Sequence, residues 1–279
     1  MGKVAVVVVH GISDKTGDQQ FGFSRALGEK VMPDQSERDK YWVEAVWEPV
    51  NNALDDKIQD VVLELVDTYD KTTYWRDSEL AKATSGMCKA CIWTRWILRK
   101  VLTGWFVERT TRALDLVLDL PMYLGSPKGE RIRGEVKKAI RKALEANANG
   151  IILVGHSLGS VIAYDVIRES LSEEGEHFPI KAFVTMGSPL DWVTDLRIAD
   201  KEIPDTSFSI GNIQWINFYD VQDPVPLKRG LPTRRFPDVH NESAICSGKR
   251  YIGAHTVYWS RDEVAQKIAA LCCVDGISN

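Results

Sequence analysis

The stretch Ile151-Ile152-Leu153-Val154-Gly155-His156-Ser157-Leu158-Gly159-Ser160 decides how this 279-residue chain is read. An apolar run ends in Gly-x-Ser-x-Gly, and Val161, Ile162, Tyr164, Val166 and Ile167 then recur at helical spacing. Strand, tight turn and helix form the context in which such a pentapeptide presents its serine on a sharp elbow. Glycines on both sides of Ser157 allow a turn that side chains would block. The serine then stands at the carboxyl end of a strand, where open α/β sheets place their ligands.

Working outward, Val4 to Val9 is a continuous β-branched run, expected of a strand buried on both faces of a parallel sheet. A helix is expected from about Gln19 to Val31. Tyr41 to Trp47 alternates and reads as a second strand, which completes a βαβ unit. After Ser126 the alternation resumes. A charged helix covers Glu130–Ala146, strands cover Gly150–Gly155, Lys181–Met186 and Ile213–Tyr219, and the elbow helix runs from Ser157 to about Ser172. Tyr251–Ala254 reads as a short last strand, and Ser260-Arg261-Asp262-Glu263 has the form of a capping box opening the final helix.

Between Pro49 and about Ser126 the strand signal is lost. Ile58 to Tyr69, Ile92 to Phe106 and Leu114 to Leu120 carry helical periodicity instead. We expect one α/β domain over 1–279 with a helical cap or lid inserted at 50–125.

Composition narrows the class further. The chain is 44% hydrophobic and carries a net charge of −4, which disfavours nucleic acid as the main partner. No apolar run reaches the ~18 residues of a membrane span, and Met1-Gly2-Lys3 leads straight into a core strand rather than a secretory signal. Cys88, Cys91, Cys246, Cys272 and Cys273 make an odd number and no disulfide framework. Cys88-x-x-Cys91 lacks a second pair at zinc spacing. Incidental thiols fit a reducing compartment, so the expected location is cytoplasmic, with no cofactor and no metal.

A serine hydroxyl needs a positioned base. Of the five histidines, only His240 and His255 combine a place after Ser157 with a plausible setting. His177 lies in an acidic loop, while His10 and His156 fall at or before the elbow. His255, near a strand end and the final helix, is preferred to His240 in its polar loop. The acid that holds the imidazole is sought at a strand end between Ser157 and His255. Asp223 is preferred because Pro224 favours an extended residue before it. Asp220 is the second choice, and Asp191 and Asp195 stay open. For a developing oxyanion the donors are the Leu158 N–H and, from the His10-Gly11 turn, the Ile12 N–H, with Ser13 second.

Val7-Val8-Val9-His10-Gly11, Gly155-His156-Ser157-Leu158-Gly159, Gly187-Ser188-Pro189-Leu190, Asp223-Pro224-Val225 and Ala254-His255 together resemble an α/β-hydrolase of the lipase and serine-esterase kind. The resemblance spans most of the chain outside 50–125. It implies Ser157 as nucleophile, Asp223 as acid, His255 as base, and Ile12 and Leu158 as oxyanion donors. It also implies an α/β fold with a mostly parallel central sheet flanked by helices. The sheet would be shortened, because no room stands before Val4 for the two leading strands of the full family sheet.

The implied substrate is a small ester or a lipid, cleaved through an acyl-enzyme. Acyl transfer, thioester cleavage and a hydrolase-like binding protein without turnover are the alternatives. The helix at 92–106 bears Trp93, Trp96 and Trp105 with Arg95, Arg99 and Lys100, a composition suited to a membrane surface or a partner protein. The plainer reading packs its apolar stripe on the core. Lys228, Arg229, Arg234 and Arg235 either meet an anionic head group or form a solvated charge run.

Overall fold

In the computed structural model, residues 3–11, 18–47, 120, 123–124, 128–199, 208–242, 245–249 and 252–273 are described. Ile12, the Cys88/Cys91 pair and nearly all of the expected cap at 50–125, including the 92–106 helix, lie outside them. The chain divides into two compact units, one made of 1–47 with 133–279 and the other of 48–132. The sheet and the site belong to the first.

Strand β1 (Lys3–Val9) is fully buried from Ala5 onward, as its unbroken β-branched run requires. Helices α1 (Asp18–Val31) and α2 (Gln35–Tyr41) lead to β2 (Trp42–Ala45). Asp34 starts α2 by accepting the Glu37 N–H at 2.9 Å, an N-cap that ends the connection from α1. After α3 (Lys128–Glu145) the chain forms β3 (Ala148–His156), α4 (Leu158–Ser170), β4 (Ile180–Met186), α5 (Leu190–Ala199), β5 (Gln214–Phe218) and β6 (Val239–Asn241). A short helix, α6 (Ile252–Thr256), passes directly into a 3₁₀ turn at Val257–Ser260, and α7 (Asp262–Cys273) follows.

All six strands are parallel, in the order β2-β1-β3-β4-β5-β6. This is an α/β architecture with helices flanking a parallel sheet. On one face Val6, Val8, Ile152, Val154, Val184, Met186, Ile216 and Phe218 pack with Leu27 and Val31 of α1 and with Val264 and Ile268 of α7. On the opposite face the Tyr164 ring of α4 packs, tilted, 5.5 Å from Trp215 of β5. Each fully buried aliphatic side chain contributes about 1.5–3 kcal/mol. The chain reverses its direction of sheet growth between β1 and β3, so the carboxyl ends of these two strands flank the switch point at which ligands bind in open sheets.

Several local expectations are corrected. The short strand expected at Tyr251–Ala254 is not found: Ile252–Thr256 is helical, and Tyr251 lies outside the described residues. Ala254, Val257 and Tyr258 are buried at the i, i+3, i+4 spacing of a helix face. Among the described residues the last strand is instead Val239–Asn241, within what reads as polar loop. Tyr41 closes α2 rather than opening β2. The capping box is not formed. Ser260 Oγ donates to the Val257 carbonyl, and Glu263 takes the Arg261 guanidinium. Among the described residues no helix is long and apolar enough to cross a membrane.

Candidate active site

Ser157 lies between the last residue of β3 and the first of α4 with φ 54° and ψ −129°. A non-glycine residue there is strained, at a cost of order 1–3 kcal/mol, and such strain clusters at functional sites. The flanking glycines let the turn exist. A Cβ at Gly155 would meet Ser160 Cα at 2.6 Å, and one at Gly159 would overlap the Val9 carbonyl oxygen. Helix α4 can therefore start directly above the ends of β1 and β3. The elbow is also tied sideways, since Ser157 N–H donates to the Met186 carbonyl at 3.0 Å.

The structure brings His255 and Asp223 into contact. His255 Nδ1 stands 2.9 Å from Asp223 Oδ2. A carboxylate only accepts, so Nδ1 carries the proton and the neutral ring keeps its lone pair at Nε2. Asp223 is fully buried, and its other oxygen accepts the Val225 N–H at 3.0 Å. Among the described residues, neither His255 Nε2 nor Ser157 Oγ has a hydrogen-bond partner, although both atoms are buried. Buried polar atoms are seldom left so, and each instance requires a reason.

Two contacts draw the His255–Asp223 pair to the elbow. His156, one residue before Ser157, has its ring 4.6 Å from the His255 ring and its Nε2 2.7 Å from the His255 carbonyl oxygen. Gly187 follows the Met186 that holds Ser157. A Cβ there would lie 2.8 Å from Asp223 Oδ2 and 2.9 Å from His255 Nδ1. Gly187 (φ +56°) thus backs the pair with main chain alone.

The other candidates are accounted for elsewhere. Asp220 Oδ1 and Oδ2 accept the N–H groups of Gln222 and Ser247, which shapes the loop. Asp191 pairs with Arg229 and Arg235, and Asp195 with Arg235. These pairs engage Arg229 and Arg235 of the basic cluster within the protein, and they brace the segment after Asp223 against α5. Trp192 adds to this by donating to the Val225 carbonyl at 2.8 Å. His240 is exposed on β6, 3.7 Å from Glu242, and His177 is exposed with Nδ1 on the Ser170 carbonyl.

Leu158 opens α4, so its N–H has no intrahelical acceptor and shares the positive end of the helix dipole. The Gly11 backbone packs against Ser157 and Leu158. Ile12 itself lies outside the described residues. Burial holds His10 at about 4. Burial, reinforced by the neighbouring His255, holds His156 well below its ordinary value. Burial keeps both rings neutral near pH 7; Trp259 stacks on His10 at 5.3 Å and lies tilted 5.2 Å from His156, and the Glu44 carboxylate stands 4.0 Å from His10 Nε2.

Sequence reasoning missed Tyr258, fully buried, whose hydroxyl lies 2.7 Å from Asp223 Oδ2. Its signal is the spacing His255-x-x-Tyr258 on one helical face. Among the described residues no three His, Cys, Asp or Glu side chains are grouped so as to hold a metal ion. Comparisons of the chain with protein-family models, with curated proteins and with solved structures found no match.

Proposed function

We propose that this chain is a serine hydrolase that cleaves carboxylic esters, lipid esters among them, on an α/β-hydrolase fold with a shortened sheet. The observation that carries the reading is the His255–Asp223 bond held beside a strained Ser157. The order of the parts supports it too, with the serine after β3, the acid after β5 and the imidazole after β6.

In the proposed reaction Ser157 Oγ attacks the ester carbonyl carbon while His255 Nε2 accepts its proton. Asp223 holds the ring in the Nδ1–H tautomer and stabilises the imidazolium that forms. The carbonyl electrons move to oxygen, which the Leu158 N–H and the N-terminus of α4 stabilise. Ile12 is proposed as the second donor, each donor contributing about 3–4 kcal/mol in such sites. The tetrahedral adduct collapses, the C–O bond to the alcohol breaks, and His255 returns the proton to the leaving oxygen. Water then attacks the acyl-enzyme, with His255 again as base, and releases the acid and free Ser157.

The test is a fluorophosphonate probe read by intact mass on the full chain and on Ser157→Ala. A single adduct on the wild type that is absent from the variant supports the proposal. A folded wild type that takes no probe and cleaves no nitrophenyl ester overturns it. A chain-length series of nitrophenyl esters then separates short-acyl from lipid specificity.

A further inference from the structure

Tyr258 makes two hydrogen bonds whose directions are fixed by chemistry. The Asp220 backbone N–H can only donate, and it lies 2.9 Å from the Tyr258 hydroxyl. The phenol oxygen therefore accepts there, and its single proton goes to Asp223 Oδ2 at 2.7 Å. That carboxylate oxygen is the one that takes the His255 Nδ1–H. Burial, strengthened by the adjacent Asp223 charge, raises the phenol well above its ordinary value, so the proton stays on Tyr258.

The placement follows from the local fold. His255 and Tyr258 are three residues apart, where α6 runs into the 3₁₀ turn, so one short segment delivers both groups to one oxygen. With Val225 N–H on Oδ1, the carboxylate holds three donors, which fix its plane and choose Oδ2 to face the imidazole. Gly187 covers the same pair from behind.

We propose that Tyr258 is a positioning residue of the hydrolase, acting through Asp223 to set the orientation and the proton affinity of His255. The inference rests on the serine-hydrolase reading above. By sharing Oδ2, the phenol draws charge from the oxygen that would stabilise an imidazolium. The shared oxygen therefore offers an imidazolium less charge than an unshared carboxylate would. Among the described residues, the ionisable groups near the trio include His156, His10 with Glu44 beside it, and Asp220. Burial keeps His156 and His10 neutral near pH 7, and the Asp220 carboxylate is occupied by the Gln222 and Ser247 N–H groups. A tyrosine present only to fill core would touch neither property.

The experiment measures kcat/KM for p-nitrophenyl butyrate from pH 5 to 9 on the full chain, with Tyr258→Phe, Asp223→Asn, the double variant, and 2,3,5-trifluorotyrosine incorporated at position 258. Tyr258→Phe should move the acid limb up by about half a pH unit and lower kcat about 10-fold. The fluorinated phenol is a stronger donor and should move the limb the other way. It retains the hydroxyl, so it carries the test if Tyr258→Phe fails to fold. Tyr258→Phe should add nothing in the Asp223→Asn background. An unmoved acid limb in the fluorinated variant, or an equal loss on adding Tyr258→Phe to Asp223→Asn, overturns the inference. A wild type that neither turns over nor takes a fluorophosphonate sinks the hydrolase reading itself.

Discussion

His156 Nε2 donates to the carbonyl oxygen of His255 at 2.7 Å, so the residue preceding the proposed nucleophile holds the backbone of the proposed base. One contact thereby couples the end of β3 to the α6 segment. Burial keeps the His156 ring neutral, and the carbonyl partner assigns its proton to Nε2. His156→Leu should lower kcat by about 10–100-fold through misplacement of His255, with KM changed less. Gln at 156 should recover part of that loss, because its amide can still donate. Steady-state kinetics on a nitrophenyl ester reads both.

The two aspartates of the β5 loop should separate cleanly. Asp223→Asn leaves the carboxamide in place but offers His255 the wrong partner, and kcat should fall by on the order of 10⁴. Asp220→Asn should lower rates far less. Its amide can satisfy only one of the two N–H groups on the carboxylate, so stability should fall by about 1–3 kcal/mol. Urea unfolding beside esterase assays distinguishes the two outcomes, and the reverse pattern would exchange the roles.

Strain at Ser157 can be measured as stability. Ser157→Ala keeps a Cβ at φ 54° and so keeps the strain. Ser157→Gly relieves about 1–3 kcal/mol of it and gives back about 0.4–1 kcal/mol to the freer unfolded chain. The glycine variant should therefore be more stable than the alanine variant by about 1 kcal/mol, both being inactive. Equal urea midpoints would mean that the elbow stores no strain.

His10 gives a pH dependence of definite sign. Its folded value of about 4 lies below the ordinary 6.5, so between these pH values the unfolded chain binds the extra proton. The stabilising contribution is complete above about 6.5 and is lost as pH falls toward 4, by about 3 kcal/mol in all. His10→Phe keeps a ring against Trp259 and should flatten that part of the stability curve. Glu44, whose carboxyl burial raises, contributes with the opposite sign and is present in both proteins. Chemical denaturation at pH 7 and pH 4.5 makes the comparison.

The features legible in the sequence were those written in continuous apolar runs. The strands at Val4–Val9, Ile151–Val154, Lys181–Met186 and Trp215–Phe218 all fall where their β-branched and aromatic residues put them. The short elements were not legible. Four residues, Tyr251–Ala254, look extended taken alone, and only the wider window of Ala254, Val257 and Tyr258 shows the helical period. Strand β6 carries no apolar signature. It is held by main-chain pairing to β5 and by Asn217 Nδ2 donating to Asn241 Oδ1 at 2.8 Å, contacts between residues far from any local pattern. The choice of Asp223 over Asp220 as the partner of His255 likewise depends on which of two fully buried carboxylates the loop turns toward the imidazole. Pro224 hints at that and cannot fix it.

The pairing of β1 has a cost during synthesis. Val6 to Val9 can join β2 once Trp42–Ala45 exists, but its other edge waits for Ile152–Gly155. At ordinary translation speeds that wait is on the order of ten seconds. Throughout it, a β-branched segment without a charge between Val4 and Val9 has one open edge, the composition from which intermolecular strands grow. Yield from a cell should therefore depend on temperature and on available chaperones. A lysine placed at Ala5 to discourage misassembly would be buried in the finished protein. For Ala5 to Val9 the exposure to aggregation belongs to the nascent chain, because the folded molecule buries the segment completely.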